Sequence, residues 1–214
     1  MTITERIGEY VARQDERAPI FADEIFAHVA AGIPGIRRDK FNTYLARYAL
    51  AHPGFVRFQK GIYFKSVPTP FGYAGIKYDE LIRQVYISDG KSVYGYETGP
   101  SLMNKLGLTT QLPAHTYIAT EKVHFSVDGG RSLVLTRPVK AVCGDNFRYL
   151  QLLDILENRF NVRFDAVDVK NILREFIKRH NLEFETLLYH ARAYKSARVY
   201  ERLAALAGEK YAAS

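Results

Sequence analysis

Residues Arg37 to Lys65, RRDKFNTYLARYALAHPGFVRFQKGIYFK, decide how the rest of the chain is read. Phe41, Tyr44, Leu45 and Tyr48 recur at i, i+3, i+4 and i+7, the spacing that gathers large apolar groups on one face of a helix. Arg37, Arg38, Lys40, Thr43 and Arg47 fall on the opposite side. His52-Pro53-Gly54 ends the helix, because proline has no amide hydrogen and disfavours helical geometry in the residue before it. Phe55 to Phe58 and Ile62 to Lys65 then alternate in strand fashion around Gln59-Lys60-Gly61, a turn with glycine available for positive φ. The stretch predicts a basic helix followed directly by a small basic hairpin.

On the N-terminal side, TERIGEYVAR from Thr4 predicts a first helix with Ile7, Tyr10 and Val11 along one side. Pro19 to Phe21 reads as a short extended piece. Ala22 to Ala30 reads as a second helix with Ile25, Phe26 and Val29 inward and Asp23 and Glu24 in its first turn, where they complement the helix dipole. Ala31 to Gly35 is the turn into the basic helix. The order of helix, strand, helix, turn, helix, strand, strand is that of a winged helix-turn-helix, whose last helix lies in the DNA major groove with the hairpin beside it as the wing.

That arrangement makes Arg37, Arg38, Lys40, Thr43 and Arg47 candidate DNA contacts, since arginine matches a guanine edge and lysine mostly neutralises phosphate. Arg38 is expected to meet a base at the helix start, Thr43 to lie in the groove, and Arg47 and Lys60 to bind phosphate. On the wing the candidates are Arg57, Gln59, Lys60 and Lys65. Asp39, among the cations, is expected to orient an arginine. The plain alternative is a solvated helix face; the adjoining hairpin and the overall basicity favour DNA. Phe41, Tyr44, Tyr48, Phe58 and Tyr63 read as core.

Ser66 to Gly75, with Pro68, Pro70 and Gly72, reads as a linker. The expected domains are residues 1–66 and 76–214, with 67–75 between them. Beyond the linker, helices are expected at Tyr78–Ile87 and Gly99–Leu106, the latter with Pro100 in its first turn. Strands are expected at Thr116–Thr120, His124–Val127 and Ser132–Thr136, with Asp128 to Arg131 as a hairpin turn between the last two. Asn146–Arg159, Ala166–His180 and Glu183–Ala207 read as terminal helices, the last a candidate for a break near Tyr194. The fold class is α+β: a winged helix followed by a mixed helix-strand domain with a helical C-terminus.

At 214 residues, with 47% apolar and 25% charged side chains, the composition is that of an ordinary globular protein. A net charge of +7 fits an anionic partner. Cys143 is the only cysteine, which excludes an internal disulfide or a zinc ribbon and fits a reducing compartment. The chain lacks an apolar run of the ~20 residues that span a bilayer, and its first residues lack a signal-peptide core, so it is expected to be cytoplasmic without membrane partners.

Val93 to Thr120, VYGYETGPSLMNKLGLTTQLPAHTYIAT, resembles the AbiEi-type antitoxin family of bacteria. Gly61-Ile62-Tyr63 is similar to the family's wing end, and Leu106-Gly107-Leu108-Thr109-Thr110-Gln111-Leu112-Pro113 to its central motif. Gly129-Gly130 and Leu188–Leu206 resemble its later elements. The resemblance spans about residues 4 to 207. It implies a DNA-binding antitoxin that represses its own promoter in a toxin-antitoxin operon and opposes a nucleotidyltransferase-like toxin, through a functional rather than a stable physical link. Within the motif, Leu106, Gly107 and Leu108 read as structural, while Thr110 and Gln111 are open to a role in antitoxic activity.

Two other readings stand beside this one. The first is a stand-alone winged-helix regulator without a toxin. The second is an enzyme acting on nucleic acid, for which Asp154, Asp168 and Lys170 form a loose D…DxK pattern. Asp165 and Asp168 are explained as the N-cap and acidic first turn of the following helix. The six histidines lack metal-ligand spacing, and no Walker loop or G-x-S-x-G elbow occurs. The chain is therefore expected to be no enzyme and to use neither cofactor nor metal. Cys143 reads as a small buried hydrophobe.

Overall fold

The computed structural model describes residues 1–122 and 132–208. The chain is a mixed α+β protein that divides into two compact units, Met1–Ile82 and Arg83–Ser214.

In the first unit, α1 (Ile3–Ala12) opens with a reciprocal cap. The Thr2 hydroxyl accepts from the Glu5 amide, and the Glu5 carboxylate accepts from the Thr2 amide. β1 (Ile20–Phe21), α2 (Ala22–Gly32) and α3 (Arg38–Ala51) follow, then the hairpin β2 (Phe55–Gln59) and β3 (Ile62–Lys65). β3 is central in an antiparallel sheet of order β1-β3-β2. Gly61 turns the hairpin at φ +81°, a region closed to most side chains. The core is built from Ile7, Val11, Ile20, Ile25, Val29, Phe41, Leu45 and Phe55, all buried.

Residues 67–75, expected as a linker, carry a second hairpin, β4 (Pro68–Thr69) with β5 (Gly72–Tyr73). Arg17 draws this segment in. Its amide donates to Lys65 O, its Nε to Gly75 O, and its carbonyl accepts from the Lys77 amide, each at 2.8 Å. Proline and glycine made the stretch look like a spacer; anchoring by a distant arginine was invisible to local pattern. The helix α4 (Tyr78–Tyr86) spans the division between the units.

The second unit contains a sheet of order β6-β7-β8. β6 (Gly95–Glu97) runs antiparallel to β7 (Thr116–Thr120), and β8 (Leu133–Thr136) runs parallel to it. The expected strand at His124–Val127 and turn at Asp128–Arg131 lie outside the described residues. β6 was not foreseen, because a three-residue strand starting at glycine gives no alternation to read. Gly95 is required there: a Cβ would come within 2.1 Å of Tyr86 O and 2.8 Å of Ala119 O. The helices are α5 (Gly99–Lys105), α6 (Phe147–Glu157), α7 (Val169–Arg179), α8 (Phe184–Ala191) and α9 (Ala197–Ala207). A short 3₁₀ turn, Arg192–Tyr194, and Lys195 at φ +50° separate α8 from α9, so the last helix is broken near Tyr194.

α6 is the buried axis of this unit, with every residue from Leu150 to Leu156 buried. Its polar members are satisfied: Gln151 Nε2 donates to Glu97 O at 2.8 Å. Asp154 accepts from the Tyr194 hydroxyl at 2.6 Å and from the Thr98 hydroxyl at 2.8 Å. The carbonyls at its C-terminus accept from α9, Arg202 reaching Leu156 O at 2.7 Å and Arg198 reaching Glu157 O at 3.2 Å. Asp168 caps α7 by accepting from the Asn171 amide, whereas Asp165, expected in the same role, bonds elsewhere. Cys143 is exposed, not the buried hydrophobe expected. No helix among the described residues is long and apolar enough to cross a membrane.

Candidate nucleic-acid interface

Between residues 37 and 65 seven lysines and arginines face a single carboxylate, Asp39. α3 presents three of them, Arg38, Lys40 and Arg47, because Phe41 and Leu45 are drawn into the core and Phe26 packs edge-on against Phe41 at 5.2 Å. At ~100° per residue, the four-residue ridge Arg38, Asn42, Ala46 lies on one side of the outer face. Lys40, Thr43 and Arg47 make a second stripe on the other side.

The individual cations differ in what they have free. Arg37, the residue before α3, forks onto Asp39, Nε to Oδ1 at 3.1 Å and Nη2 to Oδ2 at 2.7 Å. Asp39 is thus the arginine partner the sequence anticipated at this position, and the contact lowers its pKa. The Arg38 guanidinium is paired with Asp23 and lies over the rings of Phe26 (4.7 Å) and Phe41 (5.4 Å). An exposed ion pair contributes about 0–1 kcal/mol and an exposed cation-π contact about 0.5–1 kcal/mol. Their sum offsets much of the roughly 1–3 kcal/mol a bidentate guanine contact supplies. Thr43 donates its hydroxyl back to Asp39 O at 3.1 Å. Arg47 sits 6.0 Å from the Tyr44 ring, and the Lys40 side chain is exposed.

On the hairpin, Arg57 pairs in register with Tyr63, is exposed, and donates weakly to Gln59 O at 3.4 Å. Gln59 is half-buried beside a register shift, and Lys60 is exposed at the tip. Lys65 does not line the cleft; its Nζ lies 3.4 Å from Ala12 O at the end of α1. Among these, Arg38, Arg57 and Lys60 are brought together. With Asn42, Leu45 and Ala46 they line a cleft of about 410 Å³ between α3 and the hairpin. Arg37, Lys40, Thr43 and Arg47 do not line it. Asn42 and Ala46 were missed in the sequence, although their four-residue spacing from Arg38 was there to be found.

In the second unit the Leu106–Pro113 motif is a locked loop. Gly107, at φ +74°, closes α5, and the Leu108 amide donates to Met103 O. Asn104 Nδ2 holds the carbonyls of Thr109 and Gln111 at 3.1 and 3.2 Å. Thr110 donates both its amide (2.9 Å) and its hydroxyl (2.7 Å) to Asp165, which lowers the Asp165 pKa. Thr110 thus has a structural account, while Gln111 and Leu112 stand exposed.

The D…DxK residues are used separately. Asp154 is sealed between Tyr194 and Thr98, where burial raises its pKa, Asp168 caps α7, and Lys170 is on the surface. No group of three or more His, Cys, Asp or Glu among the described residues is placed to hold a metal ion. No family model matches the chain, and no curated protein matches it either.

Proposed function

We propose that the first unit is a winged helix-turn-helix that binds duplex DNA through α3 and the β2–β3 hairpin. The observation that carries this reading is the convergence of Arg38, Arg57 and Lys60 on one cleft beside an exposed, carboxylate-poor helix face. Cations on either side of a helix that fits the major groove suit a polyanion whose phosphates flank its bases. We further propose, on the resemblance of residues 93–120 to AbiEi-type antitoxins, that this cytoplasmic protein represses its own promoter and opposes a nucleotidyltransferase-like toxin. It acts by binding and not by catalysis. A stand-alone regulator is the second reading, favoured by the structural use of Thr110, which leaves Gln111 as the free polar side chain of the two motif residues singled out.

The test is a titration of the full chain against duplex from upstream of its own gene and against a scrambled duplex, from low to high salt. Affinity is expected to fall steeply with salt as phosphate counterions are released. Lys60→Ala is expected to weaken both duplexes alike and to reduce the salt slope by about one. Absence of binding to either duplex at low salt overturns the DNA reading. Co-expression with a neighbouring nucleotidyltransferase-like gene separates the two roles: restored growth supports the antitoxin, and unrelieved toxicity supports the regulator.

A further inference from the structure

The sequence singles out Arg38 as the residue that reads a base, but Arg38 is already engaged by Asp23, Phe26 and Phe41. One turn further along the same ridge stands Asn42, exposed, with no side-chain hydrogen bond, ion pair or ring contact among the described residues. It lines the cleft with Ala46, facing Arg57 and Lys60 of the hairpin. Thr43, the other polar side chain at mid-helix, has turned its hydroxyl onto Asp39 O. We infer that Asn42 is the residue by which this helix reads sequence, and that its ligand is an adenine edge in the major groove, with a thymine methyl against Ala46. This deepens the DNA-binding reading above and rests on it.

The chemistry is selective. A carboxamide presents a donor and an acceptor side by side, which matches adenine N7 and N6 together, whereas guanine offers two acceptors on that edge. The Ala46 methyl has nothing to donate or accept and suits the thymine methyl. Ala46 lies roughly 6 Å further along the helix axis, one or two base-pair steps of about 3.4 Å. Arg57 and Lys60 across the cleft fix the register through phosphates and carry no base preference themselves. The preferred site is therefore an A·T pair under the middle of α3 with a thymine close by, not a guanine at the helix start.

The experiment selects binding sites from a randomised duplex library with the full wild-type chain and, in parallel, with Asn42→Ala. The wild type is expected to enrich adenine at one position with thymine one or two pairs away. In Asn42→Ala the adenine column goes flat while the remaining columns persist. In the selected duplex, 7-deazaadenine at that position, which removes only N7, should weaken the wild type roughly tenfold and leave Asn42→Ala unchanged. The second arm uses unaltered protein, so it stands even where the substitution disturbs folding. An adenine column retained by Asn42→Ala overturns the inference. So does indifference of the wild type to 7-deazaadenine, or a guanine column that vanishes in Arg38→Ala. Failure of the wild type to retain any duplex at low salt removes the DNA-binding reading itself.

Discussion

Asp23 holds the Arg38 guanidinium from a different helix, and under the proposed DNA-binding reading this pair sets how much of the cleft's positive charge a phosphate would meet first. A cation already matched by a carboxylate displaces few counterions when a phosphate approaches. Asp23→Asn should therefore tighten binding to any duplex and steepen the salt dependence by about 0.9, one further phosphate neutralised. An unchanged slope in salt titrations of that variant would show that Arg38 never leaves its rings. Asp154 offers a test of a different kind. Burial raises its pKa in the folded state above the 3.8 of a free carboxyl, despite bonds from Tyr194 and Thr98 that favour the anion. Below pH 3.8 both states hold the proton and folding bears no penalty. As pH rises toward the raised folded value, the unfolded chain releases its proton first and stability declines. Urea unfolding of wild type and Asp154→Asn across this range should show the wild type losing ground to the variant as pH rises; parallel profiles would contradict the assignment.

At the scale of elements, α1, α2 and α3 were readable because their apolar spacing is regular, and α2 and α3 also end at glycine or just before proline. The hairpin was readable from alternation around Gly61. What local pattern could not yield were partnerships over distance: Arg17 with Gly75, Thr110 with Asp165, Arg38 with Asp23. For the same reason Arg38 looked free and Asn42 looked incidental in the sequence. The basic C-terminal helices show the same limit. Arg198 and Arg202 of α9 look like a cationic patch, yet both donate to carbonyls ending α6. Arg202→Ala should remove a charge-assisted bond and destabilise the second unit by about 1.5 kcal/mol. DNA affinity should not change. A loss of affinity without loss of stability, measured by titration and urea unfolding, would move the DNA contact to α9.

For the molecule as a whole, charge is unevenly spent. The cations of residues 37–65 are left largely to solvent, whereas in the second unit Arg198 and Arg202 reach back to the carbonyls that end α6. The order of the first sheet carries a kinetic consequence. β2 and β3 are neighbours in sequence and close in about 1–10 μs as a hairpin, whereas β1 reaches β3 only by bringing Ile20 to Tyr63. In pulse-labelled hydrogen exchange during refolding, amides of the β2–β3 ladder should gain protection before Ala22, whose amide is held by Gly61 O. Equal or earlier protection at Ala22 would reverse that order. On the ribosome the consequence is sharper. The basic helix emerges ahead of the strand that locks its sheet, so the nascent chain displays its cations before it has a fixed shape to display them on.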